Sequence, residues 1–320
     1  MNTSAPQRIP RLHSSWAEFL RTLPSLAALG PAAALAWLAS PTQAQIVNPA
    51  EAIKPPPKVL PTADEMLETD QIPSTTVTAK RVSEYREEDL VGPYEQPEWT
   101  THRRFTTTRV YVRPPDTFAF EFWLRPTIPR DGATETRTQF EAEVGLPGRF
   151  QLDLYATSNS DGQKGSFGFN EQSVELRWAF ADWDVIALNP TLYLEYTFND
   201  QDPDAIEGKL LLGDEASPGW VWGVNLVYER EISGALANTY EITAGISHTL
   251  VDERFSLGAE VKGSITDEHG SRGDFTNELL IGPSLQYRSG KHVHMDFAPL
   301  VGIGADSPAA QIFFVMGYEF

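Results

Sequence analysis

The twelve residues AAQIFFVMGYEF, numbers 309–320, decide the reading of this chain. Ile312, Phe314, Met316, Tyr318 and Phe320 recur at every second position. Gln311, Gly317 and Glu319 fill the alternate positions, with Phe313 and Val315 among them. A period of two places successive side chains on opposite faces, so this is a strand with one apolar and one mostly polar face.

Moving upstream, the pattern repeats eleven times, back to residue 117. Phe118, Phe120, Phe122 and Leu124 oppose Glu121 and Arg125. Phe140, Ala142 and Val144 oppose Arg137, Glu141 and Glu143, and Leu152 and Leu154 oppose Asp153. Val174, Leu176 and Trp178 oppose Glu175 and Arg177, while Leu194 and Tyr196 flank Glu195. Further along, Leu210 and Leu212 oppose Glu207 and Lys209, Trp222, Val224 and Leu226 share a face opposite Glu229, and Ile242 and Ala244 oppose Glu241. Leu257 and Ala259 oppose Glu260 and Lys262, Leu279 and Ile281 oppose Glu278, and Met295 and Phe297 oppose His294 and Asp296. The expectation is an all-β, antiparallel up-and-down barrel of about twelve strands over residues 116–320, crossing a membrane with its apolar rows outward. A soluble barrel or sandwich has the same period with the apolar rows packed centrally, and periodicity alone does not separate the two.

Connection lengths favour the membrane reading. LPGR, ADWD, GDEASPG, VDER and SGKH alternate with mostly longer polar stretches such as PTIPRDGATE and SNSDGQKGSFGFN. Short turns on one side and long loops on the other characterise outer-membrane barrels. Aromatic residues gather near strand ends, as at Trp178, Tyr196, Trp220, Tyr240 and Phe320, where interfacial girdles are expected.

The N-terminus carries Arg8, Arg11 and Arg21, then the apolar run LPSLAALGPAAALAWLA, then SPTQA. This predicts a signal peptide over 1–44. Residues 45–115 are rich in Pro and charge without sustained periodicity, which predicts a mostly disordered periplasmic segment. Within it RFTTTRVYV, 104–112, suits either an extra strand or packing in the barrel mouth.

The chain has no Cys and a formal net charge of -19. Disulfides and thiolate chemistry are excluded, and a nucleic-acid partner is not expected of so acidic a chain. The inward positions expected to line a pore are Glu121, Arg125, Arg137, Glu141, Glu143, Asp153, Glu175 and Arg177, then Glu195, Glu229, Glu241, Glu260, Lys262, Glu278, Asp296 and Glu319. Their excess of carboxylates biases such a pore toward cations; a closed lumen filled by Glu–Arg pairs fits equally. KHVHMD puts His292, His294 and Asp296 on one face at strand spacing, a weak metal candidate. His248 beside Ser247 is the nearest approach to hydrolase chemistry, but the two point to opposite faces. No enzyme activity and no cofactor are expected.

The terminal strand QIFFVMGYEF resembles the assembly signal of Gram-negative outer-membrane proteins, which implies lipid and the barrel-assembly machinery as partners. TTVTAKRV, 75–82, loosely resembles the segment near the start of TonB-dependent receptors, whose plug and much larger barrel this chain has no length to hold. Strands such as FEAEVGLPGRFQLDLY and VELRWAF are similar in texture to small barrels grouped with the meta-pathway phenol-degradation transporters. That resemblance implies a channel for small solutes, including hydrophobic or aromatic compounds, and carries no binding residues with it. The alternative is a non-conducting barrel whose function lies in its loops.

Overall fold

The computed structural model describes residues 86–160, 168–200, 202–252 and 254–320. The leader assigned to 1–44 and the stretch 45–85 lie outside these.

Two short strands come first, β1 (Leu90–Val91) and β2 (Gln96–Pro97), paired with each other. Twelve long strands follow: β3 (Phe118–Ile128), β4 (Glu135–Leu146), β5 (Phe150–Ser160), β6 (Glu171–Ala179), β7 (Thr191–Asn199), β8 (Ala205–Ser217), β9 (Trp220–Glu231), β10 (Asn238–Val251), β11 (Phe255–Asp267), β12 (Thr276–Ser289), β13 (Val293–Gly302) and β14 (Ala310–Glu319). Each pairs antiparallel with its sequence neighbour, and β14 returns to β3 to close the barrel. Closure leaves no unpaired edge.

Burial inverts the rule of soluble proteins. Along β6 the burial alternates strictly, with Glu171, Ser173, Glu175, Arg177 and Ala179 buried and Val174, Leu176 and Trp178 exposed. Leu154, Leu194 and Leu226 are 47–49% exposed, while Asp153 and Glu175 are 0% exposed. The apolar rows therefore point outward and the ionisable rows toward the axis, so the soluble alternative fails. Rings pack along both rims of this belt. Phe118–Phe320 and Phe150–Trp178 lie at one end, Tyr196–Phe198 and Tyr228–Tyr240 at the other.

At one end the connections are short, with turns at 147–149, 218–219 and 290–292 and with Val251 and Phe255 bounding β10 and β11. Gly148, Gly219 and Gly290 supply the positive φ there. The fifth connection at this end corrects the sequence reading. ADWD is part of a longer excursion, 180–190, whose Trp183 is buried. Asn189 fixes it, accepting from Asp184 N–H at 2.7 Å and donating to the Gly213 carbonyl at 3.1 Å. Among the described residues the opposite, loop end carries 129–134, 168–170, 202–204, 232–237, 268–275 and 303–309.

A larger correction concerns the stretch read as mostly disordered up to residue 115, for which packing in the barrel mouth is expected of 104–112 at most. From Arg86 onward it is packed on and into the barrel. Residues 86–101 lie against the turn end, and 102–117 run into the lumen and back to β3. The main apolar cluster is built on this inner segment: Tyr94, Trp99, Phe105, Val110, Tyr111 and Val112 pack with Ala179, Trp183 and Val221 of the wall. Trp183 meets Trp99 and Tyr111 edge-on, with ring centroids 5.7 and 5.3 Å apart. Pro-rich, aperiodic sequence thus forms a packed body here because the barrel supplies its hydrogen bonds.

Candidate functional site: a closed lumen with a polar cup

Three Arg side chains of the inner segment neutralise one bank of wall carboxylates. Arg103 lies 2.6 Å from Glu121 and 3.2 Å from Glu141. Arg109 reaches Glu141 at 2.7 Å and Glu143 at 2.5 Å, and Arg113 reaches Glu143 at 2.9 Å. Glu121, Glu141 and Glu143 stand close enough together to hold a metal ion. In this fold the guanidinium groups occupy that role. Arg103 also stacks over Trp123, 3.9 Å from the ring centroid.

The backbone of the segment is held as firmly. Asn225 clamps Arg109, accepting its N–H at 2.8 Å and donating to its carbonyl at 2.6 Å. Glu260 accepts from the backbone N–H and the hydroxyl of both Thr106 and Thr107, at 2.6–3.1 Å. Gln151 accepts from Arg113 N–H at 2.7 Å, and Gln286 donates to the Arg103 carbonyl. At the turn end Glu87 accepts from Arg104 at 2.7 Å and from Thr249 at 2.6 Å. Burial alone would raise the Glu87 carboxyl; Arg104, then Arg288 and the Thr249 hydrogen bond, outweigh it and hold the group below its ordinary value.

The wall is shaped to receive this segment. Gly213, Gly223 and Gly245 lie directly opposite one another on β8, β9 and β10. A Cβ on Gly223 would fall 2.9 Å from Val110 and 3.0 Å from Thr108; on Gly213 it would collide with Val110, and on Gly245 with Phe105. Three inward positions without side chains form a groove that Val110 and Phe105 fill.

Above the segment, toward the loop end, remains a cavity of about 420 Å³. Its floor is Arg103, Thr106, Thr107 and Arg109; its walls include Arg125, Arg137, Glu195, Glu229, Glu241 and Lys262. These six sequence-predicted positions share one space, as do Glu141 and Arg177 at its base. Glu121, Glu143, Asp153, Glu175, Glu260, Asp296 and Glu319 also point inward but are buried, several against the inner segment. Arg177 lies 2.8 Å from Asp153 and pairs with Glu175. Glu278 is half-buried near the loop end of β12 and outside the cavity lining.

The metal candidate is taken apart by the structure. His294 is buried, with Nδ1 2.6 Å from Asp296 and Nε2 3.3 Å from Glu121. His292 sits in the turn instead, stacked on Tyr318 and bonded to the Glu319 carbonyl at 2.7 Å. The strand begins only at Val293, so the same-face spacing does not extend to His292. His248 stacks on Trp220 and bonds the Gly219 carbonyl at 3.0 Å, while Ser247 is buried on the inward face.

The alternation puts Tyr155, Tyr193, Glu207 and Lys209 on the polar face, but they are not among the expected pore-lining positions; Glu171 and the individual contacts of the inner segment are not anticipated. Sequence reasoning also missed an inward apolar patch of Leu280, Ala298, Leu300 and Phe313 with Trp123. One signal for the segment was available: the inward face carries more carboxylates than cations, and Arg103, Arg104, Arg109 and Arg113 precede the first barrel strand, β3.

Fold and site together define a closed twelve-stranded antiparallel barrel with an apolar exterior, a polar cup and a lumen filled at its turn end. No family model and no curated protein sequence matches the chain. Among solved structures it is similar to the COG4313 outer membrane channel from Pseudomonas putida F1, with 8% identity over 66% of this chain and 97% of that one, at a TM-score of 0.47. The NanC porin is 11% identical over 63% of this chain and 98% of its own, at 0.45; the KdgM porin is 10% identical over 63% and 98%, at 0.39.

Proposed function

We propose that the protein is a bacterial outer-membrane barrel that admits small polar solutes into its cup, and that residues 86–117 act as a resident plug beneath it. The reading rests chiefly on one observation: a closed sheet with apolar rows exposed outside surrounds a charged, solvent-accessible cavity. An exposed apolar belt of this extent is costly in water and favourable in lipid. The long-loop end faces outward and the turn end, with the segment joining it, faces the periplasm. Passage then requires the plug to shift. Lipid surrounds the barrel, and the strand ending at Phe320 is its handle for the assembly machinery.

The packed turn end favours a second reading, a barrel that binds at its mouth and never conducts. Planar-bilayer recording of the full chain, of Gly245→Val, and of the full chain in dilute urea separates the two. The solute-channel reading expects long closed periods in the first and stepwise openings in the others. Silence under all three conditions leaves the non-conducting barrel.

A further inference from the structure

The cup is bipolar. On β3 and β4, Arg125 and Arg137 stand directly opposite each other, and the carboxylate of Glu171 pairs with Arg137. Arg125 makes no ion pair among the described residues; its guanidinium lies 5.8 Å from the Phe313 ring centroid. Across the lumen, Glu195, Glu207 and Glu229 stand directly opposite one another on β7, β8 and β9. Among the described residues Lys209 alone makes an ion pair with this row, 2.7 Å from Glu207. Glu195, among the described residues, is met by hydroxyls alone, from Tyr193 and Thr197. Glu229 has neither an ion pair nor a side-chain hydrogen bond among the described residues. In the order of the closed sheet β3 and β9 are six strands apart in either direction, so Arg125 and Glu229 project from opposed walls into one cavity.

Like charges directly opposite each other on neighbouring strands repel. A half-enclosed charge without a partner loses hydration and gains nothing in return. Both costs fall when a molecule bearing a negative end at Arg125 and a positive end at Glu229 occupies the cup. A simple cation relieves only the β7–β9 wall, and a simple anion only the β3–β4 wall.

We infer that the cup is a binding site for a small zwitterion of the amino-acid type, with its carboxylate on Arg125 and its ammonium on the Glu195–Glu229 row. This rests on the solute reading above and names the class of solute. The field between the walls orients the ligand, and the plug residues Thr106 and Thr107 close the space beneath it.

Calorimetry on the folded full chain in detergent tests it, with the ω-amino acids from glycine to 6-aminohexanoate as probes and hexylamine and hexanoate as controls. Saturable binding is expected for at least one chain length, roughly tenfold tighter than either control. Arg125→Gln and Glu229→Gln should each lower that affinity roughly tenfold, and Arg125→Lys should retain most of it. Heat-modifiable gel migration checks that each variant is folded. Hexylamine binding as tightly as every amino acid, with Arg125→Gln silent, overturns the inference in favour of a cation site. No saturable heat from any probe overturns it outright. Openings of Gly245→Val without zwitterion binding would remove only this inference; binding without any conductance would remove only the channel.

Discussion

The ring of Phe105 occupies the space that a side chain at residue 245 would need: Gly245 is the bare patch of wall against which it lies. Inward positions of a strand alternate with outward ones, so a glycine there leaves a hole in the lining. With Gly213 and Gly223 in the same cross-strand row, the hole becomes a groove.

Filling that groove should expel the plug. Gly245→Val and Gly223→Val each overpack the contact, at a cost of about 1–3 kcal/mol or more, since the obstruction includes a ring and branched side chains. Trp99, 1% exposed, should then show red-shifted emission. Unchanged emission together with unchanged conductance would mean that the groove does not hold the segment.

Arg109 should matter more than its single charge suggests. It touches both Glu141 and Glu143, which are about 1% exposed. Arg109→Ala leaves Glu141 to Arg103 and Glu143 to Arg113 and the buried bank one guanidinium short, a loss on the order of 3 kcal/mol. Adding Glu141→Gln and Glu143→Gln to that variant should recover part of it. Thermal unfolding in detergent measures both steps, and a triple variant no more stable than the single one would refute the pairing.

Acid should loosen the plug at Glu87. Its carboxyl lies below the ordinary value of 4.5 in the docked state, so the docked state binds the proton more weakly than the released one. Its contribution is complete above about pH 4.5 and is lost as pH falls through the lowered value. Trypsin cleavage at Arg103 or Arg104, followed from pH 6 downward by brief neutral pulses, should increase on the acid side. Glu87→Gln should flatten that limb and raise cleavage at neutral pH; an identical acid limb in the variant would assign the effect to other carboxylates.

The outer face can be tested independently of the lumen. Leu176 lies mid-strand on β6, 42% exposed, between Leu152 on β5 and Leu194 on β7. Leu176→Arg should cost about 2–4 kcal/mol for a barrel folded in lipid vesicles, measured by urea titration. A change within a few tenths of a kcal/mol, as for a water-facing position, would remove the bilayer from the reading.

Several features are legible in the sequence alone. The twelve alternating segments from Phe118 to Glu319 are the twelve strands, because the period of two is a local property of the backbone. The orientation of Glu195, Glu229 and Lys262 followed from the same parity. The 180–190 excursion was hidden because its length depends on Trp183 finding Tyr94, Trp99 and Tyr111, none of them near in sequence. His292 misled because strand parity was carried one residue past the true start at Val293.

Sequence by itself determined a chain whose alternation builds a sheet with one greasy and one charged face, in twelve passes. That information is local, written in neighbouring residues. Only the tertiary structure decided that the turn end of the charged interior is occupied by the chain's own inner segment. Arg103, Arg109 and Arg113 carry no periodic signal, and their meaning depends on Glu121, Glu141 and Glu143 meeting them across the lumen. Charge pairing and steric fit between segments far apart in sequence exist only once the ring of strands has closed.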